Sequence, residues 1–363
     1  MAVNLASKYE KQFAAAFKPN SYFDGKTTDK FNFEGVNQIS IFSPVTTPLT
    51  DYSRTGANRY GTPGEMDTVV QTLTLSQDKG FTKTLDRGNY TDSMMAISAA
   101  NFMAEQIKGV VTPTVEKYGM TQFVTHAGQI DAAAAALTKS NVVEYLASGT
   151  QAMKDKFVPD DGQYLYVPAS TFKLLSISPE FLGIDALGEK ALEKGVVGVF
   201  QGAKVTVLPS SYFPENTLAM IARKESLLLP KKITTYKTHT NPPGIDGWLM
   251  EGRVYYDAFV VGGKADGVWV LCDKDKQQAA PTITYTGGAT DTIEIASTSA
   301  SAIRYTINGG DPRYDRNALT YGSAIDTSDW EAGDYVIQAV AYGGSSTPFT
   351  SDVTKSTVAV SDA

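Results

Sequence analysis

The sequence has very few of the side chains that form disulfides or bind zinc. It contains one cysteine, Cys272, and two histidines, His126 and His239, among 363 residues. One cysteine cannot form an internal disulfide, and a Cys/His zinc site needs more ligands than these. We expect Cys272 to be a small buried apolar group. We predict no cofactor and no metal, and we assign no residue to a catalytic or binding site.

Long hydrophobic runs are also missing. Every long uncharged stretch contains Gly, Pro, Ser or Thr, so no run of about 18 apolar residues could span a bilayer. The first residues, MAVNLASK, lack the basic start and the apolar core of a signal peptide. The sequence therefore predicts no membrane contact and no export by that route.

Neither part of the chain has an excess of basic residues. The net charge is −7. Residues 281–363 hold four basic and ten acidic side chains, a net charge of −6, and the first 280 residues hold 28 basic and 29 acidic ones, a net charge of −1. A dedicated nucleic-acid-binding protein would carry a basic patch or stripe, so this class is disfavoured.

Motifs of common enzyme classes are absent from the sequence. It contains no GxGxxG, GxxxxGK[ST], HExxH or GxSxG pattern. A Ser/His/Asp triad would have to use His126 or His239, and nothing singles out a carboxylate pair among the 39 Asp and Glu residues. We interpret Asp160, Asp161 and Glu251 as turn or surface residues. The prediction is a protein that is not an enzyme.

The composition changes at the polar stretch KDKQQAAP, residues 274–281, which resembles an inter-domain linker. Downstream, five short β-branched or aromatic runs lie between residues 283 and 360 and are separated by turn residues, a pattern typical of a small β-sandwich. We place the linker at 276–281 and an all-β domain at 282–363.

Upstream, helical and strand patterns interleave without a strict βαβ repeat, which favours an α+β body at 92–275. Apolar residues recur every four positions from Met95 to Val115, and this spacing predicts a long helix over 93–118 that Pro113 kinks or ends. A second helix is predicted from about 140 to 157. A third begins after Pro168 with Ser170 or Thr171 as its cap. The alanine-rich run 131–137 has high helix propensity.

The first 91 residues carry little core signal. Residues 1–37 indicate an extended arm with one short helix at 9–17, and residues 38–91 an extended loop. Within the loop, strands at 68–75 and 81–85 predict a hairpin over 68–85. An isolated two-stranded ribbon is marginal in water, so we expect the hairpin and the arm to pack on another body such as a neighbouring subunit.

This order of elements resembles the major capsid protein of tailed phages, the Hong Kong 97-like fold, over residues 1–275. The local similarity lies in GVVGVFQGAKVTV (195–207), ARKESLLLPKKI (222–233) and GRVYYDAFVVGGKADGVW (252–269). The resemblance implies hexamers and pentamers of an icosahedral shell around double-stranded DNA, which the protein contacts weakly and without sequence preference. It also implies scaffold, portal and decoration proteins as partners, assembly in the host cytoplasm and a place in the virion. Some relatives form Lys–Asn crosslinks, for which Lys79 or Lys83 with Asn241 are candidates.

The C-terminal part has a resemblance of its own. IRYTINGGDP (303–312), Tyr321 and GDYVIQAVAY (333–342) are similar to the chitobiase C-terminal-like, immunoglobulin-like module, although Asn308 and the segment 313–316 depart from its pattern. The resemblance implies an outward decoration domain with weak glycan contact through 282–363. Two alternatives remain open: a carbohydrate-binding or adhesive surface protein, and a carbohydrate-active enzyme with an accessory module.

Overall fold

The computed structural model describes residues 21–31, 33, 36–46, 49, 51–61, 65–66, 68–92, 99–178, 196–287, 291–331 and 333–360. The described α-helices are α1 (Arg87–Asp92), α2 (Ala99–Gln106), α3 (Thr112–Thr125), α4 (Val142–Asp155) and α5 (Ala169–Ser176). A π-helical turn (Ile107–Val111) joins α2 to α3, and short 3-10 helices lie at Ser210–Tyr212, Lys224–Ser226 and Gly262–Gly267.

The strands of the body are β1 (Gln38–Pro44), β2 (Thr68–Thr74), β3 (Gln77–Asp86), β4 (Gln129–Ala132), β5 (Gln163–Pro168), β6 (Val196–Phe200), β7 (Ala203–Leu208), β8 (Thr217–Arg223), β9 (Leu227–Leu228), β10 (Lys231–Thr240), β11 (Gly247–Tyr256), β12 (Phe259–Val260) and β13 (Val268–Cys272). The strands that follow are β14 (Thr282–Thr286), β15 (Thr292–Ala296), β16 (Ala302–Thr306), β17 (Leu319–Thr320), β18 (Ile325–Asp326), β19 (Gly333–Tyr342) and β20 (Thr354–Val360).

The predicted long helix continues past Pro113. Helix α2, the π-helical turn and α3 run without a break from residue 99 to 125, so the expected end near 118 was wrong. Proline in an α-helix collides with the carbonyl four residues earlier, here that of Gly109. The wider π-helical turn, closed by a bond from Thr112 N–H to the Ile107 carbonyl, ends just before Pro113. The helix therefore accommodates the proline in its next turn.

The body is built around a six-stranded sheet in the order β4-β13-β8-β5-β7-β6. All five residues of β13 are buried, and its side chains alternate between two core clusters. Val268, Val270 and Cys272 pack with α3, and Trp269 and Leu271 pack with α4 and α5. Both faces of the sheet are covered at β13, which explains why the sequence of this strand is a continuous apolar run.

Helix α4 lies within the range predicted from the sequence, and α5 begins close to the predicted start. The N-cap of α5 is Pro168, however, and it makes no side-chain capping bond. The expectation of Ser170 or Thr171 as the cap was therefore wrong. The hydroxyl of Thr171 instead donates to the Leu218 carbonyl over 2.8 Å, which ties the helix to strand β8.

The hairpin predicted over 68–85 does not form, although both of its strands do. Strand β2 pairs with β1 in an antiparallel ribbon, and β3 pairs with β11 in a three-stranded sheet of order β10-β11-β3. The prediction paired neighbours in sequence, whereas a strand pairs with whichever partner completes its buried face. The extended loop therefore contains the β1–β2 ribbon, and β3 is not part of it.

The alanine-rich run was also misassigned as a helix. Its first residues belong to β4, which pairs in parallel with β13, and no helix is assigned between residues 132 and 141. Trp269 Nε1–H donates to the Asp131 carboxylate over 2.6 Å, which fixes the β4 register. Tertiary pairing at the sheet edge here outweighs the helix propensity of alanine.

The strand-forming runs after residue 281 form two antiparallel sheets, β14-β15-β18 and β17-β16-β19-β20. Alternate residues of the strands point into one core, which includes Ile293, Ile295, Ile303, Tyr305 and Ile337. No helix in the described part of the chain is both long and apolar enough to cross a membrane.

Candidate assembly surfaces

The first described residues are held on the body by a buried carboxylate. Glu116 of α3 is 1% exposed. Its Oε1 accepts hydrogen bonds from Ser21 Oγ at 2.5 Å, from Tyr22 N at 2.8 Å and from Phe23 N at 3.4 Å. Burial raises the pKa of Glu116 above its usual value, and these hydrogen bonds oppose that shift.

The contacts of this segment extend through residue 30. Phe23 packs edge-on against Phe123 in the core, with ring centroids 5.4 Å apart. The Lys26 ammonium lies over the Tyr164 ring, 5.5 Å from its centroid, and Lys30 forms a 2.9 Å ion pair with Glu225. Residues 21–30 therefore lie on their own body, contrary to the expected arm that rests on a neighbour. Residues 1–20, with the predicted helix at 9–17, lie outside the described residues.

The β1–β2 ribbon has a buried root. Leu73 and Leu75 are buried in one cluster with Phe33, Leu228 and Val261. The Gln71 amide donates to the Val260 carbonyl over 2.9 Å and accepts from Gly262 N–H over 2.7 Å. These contacts fix the direction in which the ribbon leaves the body.

Large apolar side chains of the same loop are exposed. Phe42 is 68% exposed and Leu49 is fully exposed. Tyr52 and Tyr60, also exposed, pack edge to face on each other with centroids 4.9 Å apart. The loop thus joins a fixed root to several large apolar side chains that the described part of the chain leaves exposed.

The C-terminal sheets contact the body through the turn at 308–316. Tyr314 is 6% exposed and belongs to the core cluster of α3 and β13. Its hydroxyl donates to the His126 carbonyl over 2.7 Å. Burial raises the pKa of this phenol well above its usual range. Tyr314 is therefore a core residue of the body although it comes from the C-terminal part.

The adjacent Arg313 bridges the two parts through its guanidinium. Nη1 donates to the carbonyls of Ala127 at 3.2 Å and Gly128 at 2.8 Å, and Nη2 pairs with Asp311 at 2.7 Å. The side chain is only 11% exposed. The planar guanidinium can reach all three oxygens together, which a lysine ammonium could not do.

The same turn contacts strand β2 of the ribbon. Arg316 N–H donates to the Val70 carbonyl of β2 over 2.8 Å. A Cβ on Gly310 would lie 2.6 Å from a methyl of Val69, so this approach requires glycine. The predicted linker is ordered as well, because Gln277 forms a β-bridge with Phe349 and its amide donates to the Ile130 carbonyl over 2.7 Å.

The cysteine and the two histidines have structural partners in the described part of the chain. Cys272 is buried as expected, and burial raises its pKa to about 12. His239 lies 3.3 Å from Glu251, and His126 Nδ1 lies 3.0 Å from the Gln122 carbonyl. The described residues contain no group of three His, Cys, Asp or Glu side chains placed to hold a metal ion.

Lys79 and Lys83 have other positions than expected, whereas Asp161 is a surface residue as expected. Lys79 and Lys83 lie on β3, at the edge of the three-stranded sheet and not on the β1–β2 ribbon. The Asn241 side chain accepts a hydrogen bond from Arg87 over 2.7 Å. Asp161 pairs with Arg223 at 3.1 Å on the surface.

Sequence reasoning missed Glu116, Arg313 and Tyr314. For Glu116 a signal existed, since it shares one helix face with the buried Met120 and Phe123, and a charge there needs partners. For Arg313 the only cue was its departure from the expected module pattern. Its partner carbonyls are main-chain groups that no residue type reveals.

Comparison with known proteins shows the fold of about three quarters of the chain. No protein-family model matches the chain, and no curated protein matches it. Among solved structures, a chain of Mycobacterium phage Che8 superposes with a TM-score of 0.59 at 17% identity, over 74% of this chain and 97% of that one. The capsid of Cyanophage P-SCSP1u gives 0.58 at 12% identity, over 74% and 93%. The mature capsid of bacteriophage PhiM1 gives 0.58 at 12% identity, over 74% and 92%.

The chain has the fold of phage capsid proteins. The neighbours are matched over nearly their whole length, so the shared part is a complete fold and not a local motif. The described helices and sheets make it a mixed α and β architecture.

Proposed function

We propose that this chain is the major capsid protein of a tailed bacteriophage, with a Hong Kong 97-like body. Its copies assemble as hexamers and pentamers into an icosahedral shell around double-stranded DNA. The observation that carries the proposal is the β1–β2 loop, which has a buried root and exposed apolar side chains such as Phe42 and Leu49. A second subunit that covers this loop would remove that surface from water. The shared capsid fold supports the same conclusion.

The charge of the chain suits a shell. The body is nearly neutral, so many copies can pack edge to edge without strong repulsion. Many weak contacts between identical subunits become strong together through multivalency. The lack of basic excess fits weak DNA contact without sequence preference. Scaffold, portal and decoration proteins as partners, assembly in the host cytoplasm and residence in the virion belong to the same proposal.

A division into domains is also proposed: an arm at 1–37, a loop that begins at residue 38 and ends before β3, a body that runs from β3 to residue 275, a linker at 276–281 and an immunoglobulin-like decoration at 282–363. Two facing sheets with one core support the last of these. The net charge of −6 on residues 281–363 suits an outward position away from the packaged DNA, with weak glycan contact. The contacts of Arg313 and Tyr314 indicate that this domain is docked on the body and not tethered loosely.

The double variant Phe42→Ser/Leu49→Ser tests the assembly role of the loop. Both side chains are exposed, so the double variant should still fold. It should no longer assemble, and sedimentation velocity should therefore detect no particles. The matched control is Leu319→Ser, which removes a side chain that is 52% exposed on the C-terminal sheets and leaves assembly intact. If the double variant forms particles at the same protein concentration as the wild-type chain, the proposed role of the loop is contradicted.

The two alternatives predict different behaviour of the wild-type chain. A monomer with measurable glycan affinity would favour an adhesive surface protein. A monomer with glycoside turnover would favour the carbohydrate-active enzyme. Either result would replace the capsid proposal.

A further inference from the structure

The end of α4 holds a large apolar residue in a left-handed backbone conformation. Phe157 follows the C-cap residue Lys156 and has a φ of 56°. Its N–H donates to the Lys154 carbonyl at 2.9 Å, and the Val158 N–H donates to the Met153 carbonyl at 3.0 Å. These two bonds form a Schellman motif, in which the left-handed position is usually occupied by glycine. The helix ending therefore imposes a conformation that disfavours phenylalanine.

Burial within the described part of the chain does not offset this cost. The Phe157 side chain is 93% exposed, so its ring gains almost no burial. The hydrophobic contact that accompanies the motif is made by Val158, which packs on the same cluster as the buried Met153. Phenylalanine at this position thus costs the isolated subunit both backbone strain and an exposed ring.

Phe157 is exceptional among the left-handed residues of the described chain. The other non-glycine residues with positive φ are Asn58, Gln201, Asn216, Asn241, Asp275 and Ser299. All of these are polar, and asparagine and aspartate tolerate the conformation best. Phe157 is the large apolar residue in this set, which points to a use for its ring outside the subunit.

We propose that Phe157 is an assembly contact whose ring is buried against a second copy of this chain. The inference rests on the proposed capsid function. Backbone strain is retained where a position has a task, and aromatic side chains are enriched at the centres of protein interfaces. The residues close to Phe157 in sequence carry both signs of charge, namely Lys154, Asp155, Lys156, Asp160 and Asp161. Such a rim suits the nearly neutral body of another copy better than a strongly charged partner.

Variants of the full chain separate the two effects of the ring. Phe157→Gly should raise the melting temperature of dissociated subunits by about 2 °C, because it relieves the backbone strain. It should also raise the critical concentration for assembly at least about tenfold, because an interface anchor is lost. Phe157→Ala should weaken assembly similarly without the gain in stability.

The matched control is Ser299→Gly, which places glycine at another exposed residue with positive φ. It should leave the critical concentration unchanged. A Phe157→Gly variant that assembles at the wild-type concentration would overturn the contact while leaving the capsid function standing. Failure of the wild-type chain to assemble would overturn both.

A photo-crosslinking residue at position 157 gives a second readout. With p-benzoylphenylalanine in assembled particles, irradiation should yield covalent dimers of this chain, and dissociated subunits should yield none. Adducts confined to one chain, or to a different protein, would contradict the proposal.

Discussion

The hydroxyl of Tyr314 donates a hydrogen bond to the main-chain carbonyl of His126 over 2.7 Å. This bond joins the C-terminal sheets to the end of the long helix α3, and the Tyr314 ring lies in the core of the body. The two parts of the chain therefore share a core at this point, although the sequence pattern separates them.

Truncation of Tyr314 should destabilise the body. Tyr314→Ala removes a buried ring and should lower the free energy of unfolding by about 4 kcal/mol. Tyr314→Phe keeps the ring and loses one hydrogen bond, so we expect a loss of about 1 kcal/mol. Urea unfolding measured by circular dichroism distinguishes the two values. Equal losses for both variants would mean that the hydrogen bond, and not packing, holds the turn.

Replacement of Arg313 by lysine should loosen the same junction. The ammonium cannot reach both the Ala127 and Gly128 carbonyls and the Asp311 carboxylate, so acceptors lose their donor. We expect a loss of about 2 kcal/mol and faster proteolysis near the turn. Arg316→Lys is the control, since Arg316 contacts Val70 through its main chain. Wild-type stability of Arg313→Lys would contradict the bridging role.

The buried Glu116 predicts a pH dependence with a definite sign. Its pKa is raised in the folded state, so above the ordinary value of 4.5 the folded chain holds this proton more tightly than the unfolded one. Stability from this group is therefore present at low pH and is lost as pH rises through the folded pKa. Glu116→Gln does not titrate, so its stability relative to wild type should increase as pH rises above 4.5.

Thermal unfolding of both proteins between about pH 4 and pH 7 measures this difference. Glu116→Leu provides the second comparison, because it leaves the donors of Ser21, Tyr22 and Phe23 without their acceptor and should be less stable than glutamine at every pH. A relative stability of Glu116→Gln that falls with rising pH would show that the pKa is lowered instead.

Cys272 should be inert in the folded chain. Burial removes it from solvent and raises its pKa to about 12, so the reactive thiolate is scarce at neutral pH. A thiol reagent such as dithionitrobenzoate should label it only after unfolding in urea, with one equivalent per chain. Rapid labelling of native protein would indicate that the six-stranded sheet opens at β13.

Local patterns predicted the strands after residue 281, the helix α4 and the long helix, because each depends on residues close in sequence. Strand pairing was not predictable in the same way. The partners of β2 and β3 are β1 and β11, and β11 lies far along the chain, so the apparent hairpin was the simplest local solution. The helix predicted from alanine propensity at residues 131–137 was likewise wrong, because the pairing of β4 at the edge of the sheet determines the structure there.

The candidate surfaces depended even more on long-range contacts. The exposed loop was expected from its weak core signal, although its boundaries changed with the pairing of β1 and β2. Glu116 accepts hydrogen bonds from main-chain N–H groups about ninety positions earlier in the chain. Arg313 donates hydrogen bonds to the carbonyls of Ala127 and Gly128, which are still farther away in sequence. Such contacts use main-chain groups that every residue has, so residue identity alone cannot reveal them.

The most direct test is negative-stain electron microscopy of the purified full chain, over a range of concentrations and with assembly followed by light scattering. Closed, uniform shells built of hexamers and pentamers are the predicted result. A chain that stays monomeric at high concentration would contradict the capsid function.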